Sequence, residues 1–349
     1  MMPRWFLWAA LALISWGIWA IISKIIGDAL SAAHSQALST LGLLPVMLLL
    51  GLSKTFSLPW EPRLLDTGNP GGQALPSSGP SDTSTDEVQR PLSAARVAAA
   101  NGIGPDGPSH NGSGDARGLA FALTAGILSC LGNVAYYHAL NLGGKAATVI
   151  PLTALYPLVT VLLALLLLRE RLNAAQTSGI ALSLGAIYLF NIQNDSGFLS
   201  GGLVFALLPI VLWGVAGLLQ KVASNFLSGE AATFWFLSAF VPVALIILIS
   251  QPWPERVSST TWLLVAALGL FFSLGNYALL AAFARQGKAS LITPLTALYP
   301  VVSVPVAVLF LGEKVGPREW TGIGLALVSV AALSYEKTAK TVEAGSLKL

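Results

Sequence analysis

Charge is what this sequence is short of. Only 10% of its 349 residues are Asp, Glu, Lys or Arg, against about 25% in a soluble domain. A chain so poor in charge cannot cover a water-facing surface. Its 54% hydrophobic content makes the lipid bilayer the expected solvent. Cysteine is nearly absent as well. Cys130 alone, inside an apolar run, excludes an intramolecular disulfide and a cysteine metal cluster. The net charge of +3 is too small to point to nucleic acid. Acids are missing from the centre of every apolar stretch, so no intramembrane carboxylate is available to carry a proton. No His/Asp/Glu cluster offers a metal site or an acid–base pair. The expectation is therefore no enzyme, no catalytic residue, no metal and no cofactor.

What is abundant is repetition. The heptapeptide PLTALYP occupies residues 151–157 and again 294–300. The offset of 143 holds without a gap for residues 131–190 against 274–333, where 25 of 60 pairs are identical. Among them are Asn133/Asn276, Lys145/Lys288, Glu170/Glu313 and Gly179/Gly322. Near the N-terminus the offset is 197, matching Trp16/Trp213, Gly17/Gly214, Lys24/Lys221 and Pro45/Pro242. A repeat this long organises the rest of the chain. It also answers whether Arg4 and the apolar run after it form a cleaved signal. Residues 15–24 have a counterpart at 212–221, deep in the chain, and so are expected to belong to the mature fold.

A span needs about 20 apolar residues to cross about 30 Å of hydrocarbon. Ten stretches qualify: 5–24, 32–52, 118–140, 146–168, 174–191, 201–220, 231–250, 261–283, 289–311 and 318–335. Helices are expected, because lipid offers backbone polar groups no partner and the alternation of barrel strands is absent. The reading is an all-α integral membrane protein. Residues 1–52 hold helices one and two, and 118–191 hold helices three to five. Residues 192–335 form the second repeat, and 336–349 a cytoplasmic tail. The change of offset places an insertion at 53–117, rich in Gly, Pro, Ser and Asp, which reads as a disordered cytoplasmic loop. Five helices per half is an odd number. The second half must then enter the membrane inverted, giving ten transmembrane helices in two inverted five-helix repeats, an arrangement of many transporters.

With these repeats and motifs in hand, the chain resembles the EamA family of the drug/metabolite transporter superfamily. The resemblance rests on Pro151 to Pro157 with Glu170, Gly179 and Gly185, and on Pro294 to Pro300 with Gly312, Glu313 and Gly322. It covers the whole chain except the insertion and the tail. Two positions depart from the pattern: Arg169 replaces the usual Gly before the Glu, and Val328 stands where Gly185 has its counterpart. The resemblance implies ten helices in two repeats and transport of a small molecule, and is nearly silent on substrate.

Depth along each helix, at about 1.5 Å per residue, selects the candidate site. Tyr156 and Tyr299 fall near the midplane, with Thr153 and Thr296 three residues earlier on the same face. Pro157 and Pro300 remove the bonds that would reach the carbonyls of Thr153 and Thr296. Each half thus offers a freed carbonyl, a hydroxyl and a phenol, as a packing kink or as a kink that also lines a site. Trp16 and Trp213 lie at similar depth, away from the interface where tryptophan collects. Asn133 and Asn276 serve as interhelix glue or as site amides. Lys24, Lys221, Lys145 and Lys288 read as lysines snorkelling at the two mouths, and Glu170 and Glu313 as interfacial structural acids.

The expected function is a secondary transporter of a small polar metabolite, neutral or zwitterionic, such as an amino acid, sugar or nucleobase. The alternative is a membrane scaffold or sensor acting through the 53–117 loop; a lipid-modifying enzyme lacks its nucleophile. The expected partners are a small-molecule substrate and the lipid bilayer, with a homodimer possible and nucleic acid excluded. With both termini in the cytoplasm, 14 of the 19 Lys and Arg fall inside, and the plasma (inner) membrane is the expected location. Cysteines introduced into 53–117 should therefore resist an impermeant reagent in intact cells, and external labelling there would overturn the orientation.

Overall fold

Helices fill the structure because the sequence leaves the backbone no other way to satisfy its polar groups in lipid. The computed structural model describes residues 4–27, 29–53, 103–104, 107–108, 112–168, 173–191, 201–254, 256–284, 292, 295–333 and 335. Most of the 53–117 insertion lies outside them. So do Arg169, Glu170, Lys288 and the 336–349 tail, and with them the readings made on those residues.

Among the described residues the chain forms ten helical stretches, in the order the sequence predicts. They are α1 (Arg4–Gly27), α2 (Ala32–Gly51), α3 (Gly112–Asn141), α4 in two pieces, α5 (Ala174–Asn191), α6 (Gly201–Ala223), α7 (Gly229–Ser250), α8 (Ser259–Ala284), α9 (Leu295–Phe310) and α10 (Pro317–Leu333). Seven are long and apolar enough to cross a bilayer; α5 and α9 are shorter apolar helices. Large apolar side chains face outward: Ile249 is 85% exposed and Leu309 75%, values suited to lipid contact rather than water. The chain is an integral, multi-pass membrane protein. Helix α3 begins at Gly112, earlier than the 118 expected, so the insertion is shorter than the composition suggested. Inside the insertion, Ile103 and Gly104 pair antiparallel with Pro108 and Gly107.

The repeat is visible in local detail. Ser31 caps α2 by accepting the His34 N–H at 3.2 Å, and its counterpart Ser228 caps α7 by accepting the Ala231 N–H at 3.2 Å. It is visible in packing too. Helix α1 lies along α8 and α6 lies along α3, so each half lends its first helix to the other. Helices α5 and α10 pair through Ser183 and Ser329, both of which donate to the Gly179 carbonyl, at 2.9 and 3.1 Å.

Helix α4 is broken at the sequence PLTALYP. Its first piece, α4a (Ala146–Thr153), stops before a turn at Ala154 and Leu155, and α4b (Tyr156–Leu168) resumes after it. Helix α9 turns at Leu298 and Tyr299, one residue later in the repeat. Proline explains both breaks, since Pro157 and Pro300 carry no N–H for the preceding turn. The freed carbonyl expected at Thr296 is not free. The chain tightens there, and the carbonyl accepts the Tyr299 N–H at 3.3 Å.

Close approach of α2 and α8 depends on glycine. A methyl group on Gly269 would overlap the Ser39 carbonyl oxygen, and one on Gly42 would overlap that of Ala266. Gly324, by contrast, faces open space. Gly269→Val is expected to lower the thermal midpoint of the detergent-solubilised protein, at a cost of about 1–3 kcal/mol or more. Gly324→Ala should leave the midpoint unchanged or slightly raised.

Candidate functional site

Two tryptophans and two tyrosines set the frame of a central cavity. Trp16 on α1 meets Tyr299 edge-on with ring centroids 6.4 Å apart, and Trp213 on α6 meets Tyr156 edge-on at 6.4 Å. The tryptophans are seated against glycines of the facing half. A methyl group on Gly275 would come within 2.5 Å of the Trp16 ring, and one on Gly132 within 2.5 Å of the Trp213 ring. Each pair joins one residue from each half, so the frame forms only when the halves dock.

The threonines act differently from expectation. Thr153 and Thr296 are fully buried and do not reach the cavity. The Thr153 hydroxyl donates to the Ile150 carbonyl at 3.1 Å, so at 3.5 Å Tyr299 is the donor to Thr153. Thr296 is in turn a hydrogen-bond partner of the Tyr156 hydroxyl. Sequence reasoning placed each threonine on its own tyrosine's face; the structure pairs each with the tyrosine of the other half. Asn133 is also buried away from the cavity, its Oδ1 accepting the Trp213 indole N–H at 3.2 Å. Trp16, Tyr156, Trp213, Asn276 and Tyr299 line the cavity, which encloses about 100 Å³.

The two ends of the frame are filled unequally. On one side Trp19 is buried, stacked on Tyr136 at 5.1 Å and bonded through its indole N–H to Tyr137 at 3.1 Å. Ser23 bonds the Tyr136 hydroxyl at 3.2 Å. At offsets 197 and 143 their counterparts are Ala216, Leu279, Leu280 and Gln220: an alanine and two leucines replace the three aromatic side chains, while Ser23 gives way to the larger Gln220. That side stays open, and the cavity runs along Ala216, Gly217 and Gln220 to the exposed Lys221. Trp19, Ser129, Thr160, Gln220 and Phe272 were missed from sequence. The signal that could have found several of them was the set of repeat positions where the halves differ in bulk.

Charged groups close the far side. Gly312, with φ of 66°, turns the chain after α9. Glu313 then accepts the N–H groups of Ala146 and Ala147, each at 2.8 Å, capping α4a across the halves. The interfacial acid expected here is thus committed to backbone donors. Lys145 bonds Glu319 at 2.8 Å and the Lys314 carbonyl at 2.9 Å, and Lys24 bonds the Gly144 carbonyl at 3.0 Å. The described residues contain no group of three His, Cys, Asp or Glu able to hold a metal.

The sequence pattern of the EamA-like transporter family matches residues 105–192 and 200–335. The chain belongs to that family. Its relatives include an uncharacterized protein of Methanocaldococcus jannaschii, 38% identical over 23% of this chain and 58% of its own. An uncharacterized transporter of Synechocystis is 23% identical over 53% of this chain and 62% of its own. An uncharacterized protein of Pseudomonas aeruginosa is 30% identical over 46% of this chain and 55% of its own. The matches therefore span little more than half of each relative. A solved crystal structure aligns over 95% of this chain and 96% of its own with a TM-score of 0.56; at 18% identity this shows the fold alone. An EamA-family frame held by two tyrosine hydroxyls makes a direct prediction. Tyr156→Phe and Tyr299→Phe should each lower uptake while costing about 1 kcal/mol of stability. The double variant should lose uptake at normal expression, and full activity in it would remove these hydroxyls from the site.

Proposed function

We propose that the protein is a secondary transporter of a small polar metabolite, neutral or zwitterionic, working by alternating access between two inverted repeats. The observation that carries this reading is one cavity framed by equivalent residues of both halves. It is open toward Lys221 and shut at the opposite end by Trp19, Tyr136 and the Glu313 clamp. A site that reaches one face and is sealed from the other is one half of an alternating cycle. The orientation follows from the basic residues: both termini cytoplasmic in the plasma (inner) membrane, which puts Lys221 at the cytoplasmic mouth. The partners are the small-molecule substrate and the lipid bilayer, with a homodimer compatible.

Chemistry of the lining supports the substrate class. Hydroxyls, amides and aromatic faces line the cavity, with a single cation at its rim and no carboxylate. Carrying a full charge to the bilayer centre costs at least about 2.5 kcal/mol, whereas each neutral hydrogen bond contributes about 1 kcal/mol. Phosphorylated solutes are disfavoured on that comparison. An enzymatic role has less support, since no histidine or carboxylate lines the cavity to activate its hydroxyls or form an acid–base pair.

Reconstituted liposomes test the proposal. Uptake or exchange of a neutral or zwitterionic solute is expected, and it should persist without a pH gradient because no mid-membrane carboxylate is available. Strict proton dependence abolished by changing one acid would defeat the coupling argument. Absence of any solute flux would defeat the transporter reading itself.

A further inference from the structure

One amide on the cavity wall has incomplete bonding, and its orientation is fixed by its neighbours. Asn276 is buried, and its Nδ2 donates to the Phe272 carbonyl at 2.9 Å. Its Oδ1 therefore faces Gln220, whose Nε2 donates to it at 3.3 Å. Gln220 is only 8% exposed and lines the cavity. An amide carries two donors and a two-lone-pair acceptor. With one hydrogen given to Asn276, Gln220 retains Oε1 and a second N–H, and neither is taken by another described residue.

The other half shows that this arrangement is not a packing requirement. Asn133, the counterpart of Asn276, gives its Oδ1 to the Trp213 indole. The counterpart of Gln220 there is Ser23, which turns to Ala20 and Tyr136 instead. Gln220 has taken the place at Asn276 that an indole would hold, and the Trp16 N–H is buried without a partner among the described residues. A buried donor left unpaired costs stability, and in the other half the equivalent indole does not bear that cost.

The space beside Gln220 is small and walled by aromatic side chains. Trp16, Trp213, Tyr156, Tyr299 and Phe272 present aromatic walls. A dry cavity of about 150 Å³ is known to hold benzene; this one encloses about 100 Å³ and opens at one end. No carboxylate lines it to receive an ammonium group. We infer that Gln220 is a specificity-determining residue that reads a neutral, planar, single-ring solute through an adjacent donor and acceptor, the edge of a lactam or carboxamide. The inference rests on the transporter reading of this cavity and narrows its substrate class.

The experiment uses purified full-length protein in liposomes, with uracil and nicotinamide as probes and phenylalanine and glucose as contrasts. Uracil or nicotinamide should be taken up and should perturb tryptophan fluorescence. Gln220→Leu, with its thermal midpoint confirmed, should weaken that binding at least about tenfold, the loss of one good hydrogen bond. A ligand-side test needs no variant: 1,3-dimethyluracil keeps the ring but lacks both N–H donors, and should bind wild-type protein at least about tenfold more weakly than uracil. Equal binding of the dimethylated probe, or unchanged binding in Gln220→Leu, would overturn the inference. Uptake of phenylalanine or glucose but of neither ring probe would also overturn it, while leaving the transporter reading standing. If no solute from the panel or from a whole metabolite extract moves, both fall together.

Discussion

A hydroxyl buried in a bilayer has no water to turn to, so it must find a partner in the protein. Four such hydroxyls meet where α4 and α9 cross, Tyr299 with Thr153 and Tyr156 with Thr296. Interhelix bonds of this kind contribute only about 0.6 kcal/mol on average in membranes. Their value is in register. A slide of α4 along α9 by one residue would break both tyrosine–threonine bonds at once and leave the two phenol hydroxyls without these partners. The two proline breaks belong to the same constraint, since they set the turns at Ala154–Leu155 and Leu298–Tyr299 that carry both tyrosines to the crossing.

On that frame the halves are alike where they touch and unlike where they fill. Equivalent tryptophans stand at equal distances from equivalent tyrosines. Away from the frame, Trp19 and Tyr136 occupy volume that Ala216 and Leu279 leave vacant. The asymmetry includes side-chain bulk, and the cavity runs toward the side with the smaller residues.

The architecture was legible because its signals are periodic and long. The 143-residue offset, ten apolar runs and the PLTALYP pair report helices and repeat without any knowledge of contacts. The site was legible only in part. Depth arithmetic brought Trp16, Trp213, Tyr156 and Tyr299 to one level, because rise per residue is fixed, and Asn276 was singled out as an amide in lipid that needs a partner. The arithmetic could not say which way Thr153 and Thr296 turn, because helical spacing defines a face and not the neighbour that face meets. Glu313 was legible as an interfacial structural acid, but the bonds it makes were not. Its partners, the N–H groups of Ala146 and Ala147, lie more than 160 residues away in sequence and carry no side-chain signature. Gln220 was passed over because its role is a difference between halves, and a search for repetition discards differences.

The charged groups complete the picture. At the closed end they are spent on the protein itself: Glu313 on the start of α4a, Lys145 on Glu319, Lys24 on the Gly144 carbonyl. At the open end Lys221 is exposed at the rim. Opening the closed end would break several charge-assisted bonds, each worth about 1.5–3 kcal/mol. Such a change is affordable on a transport cycle only if comparable bonds form elsewhere at the same time. The repeat supplies candidates in sequence, since Glu170 is the counterpart of Glu313, Lys288 of Lys145 and Lys221 of Lys24. On the proposed alternating cycle, two halves that carry the same closing groups would exchange one set of bonds for another of similar strength, which would keep the two end states close in free energy. A single unrepeated clamp would hold one state by its full energy and leave the other unpopulated.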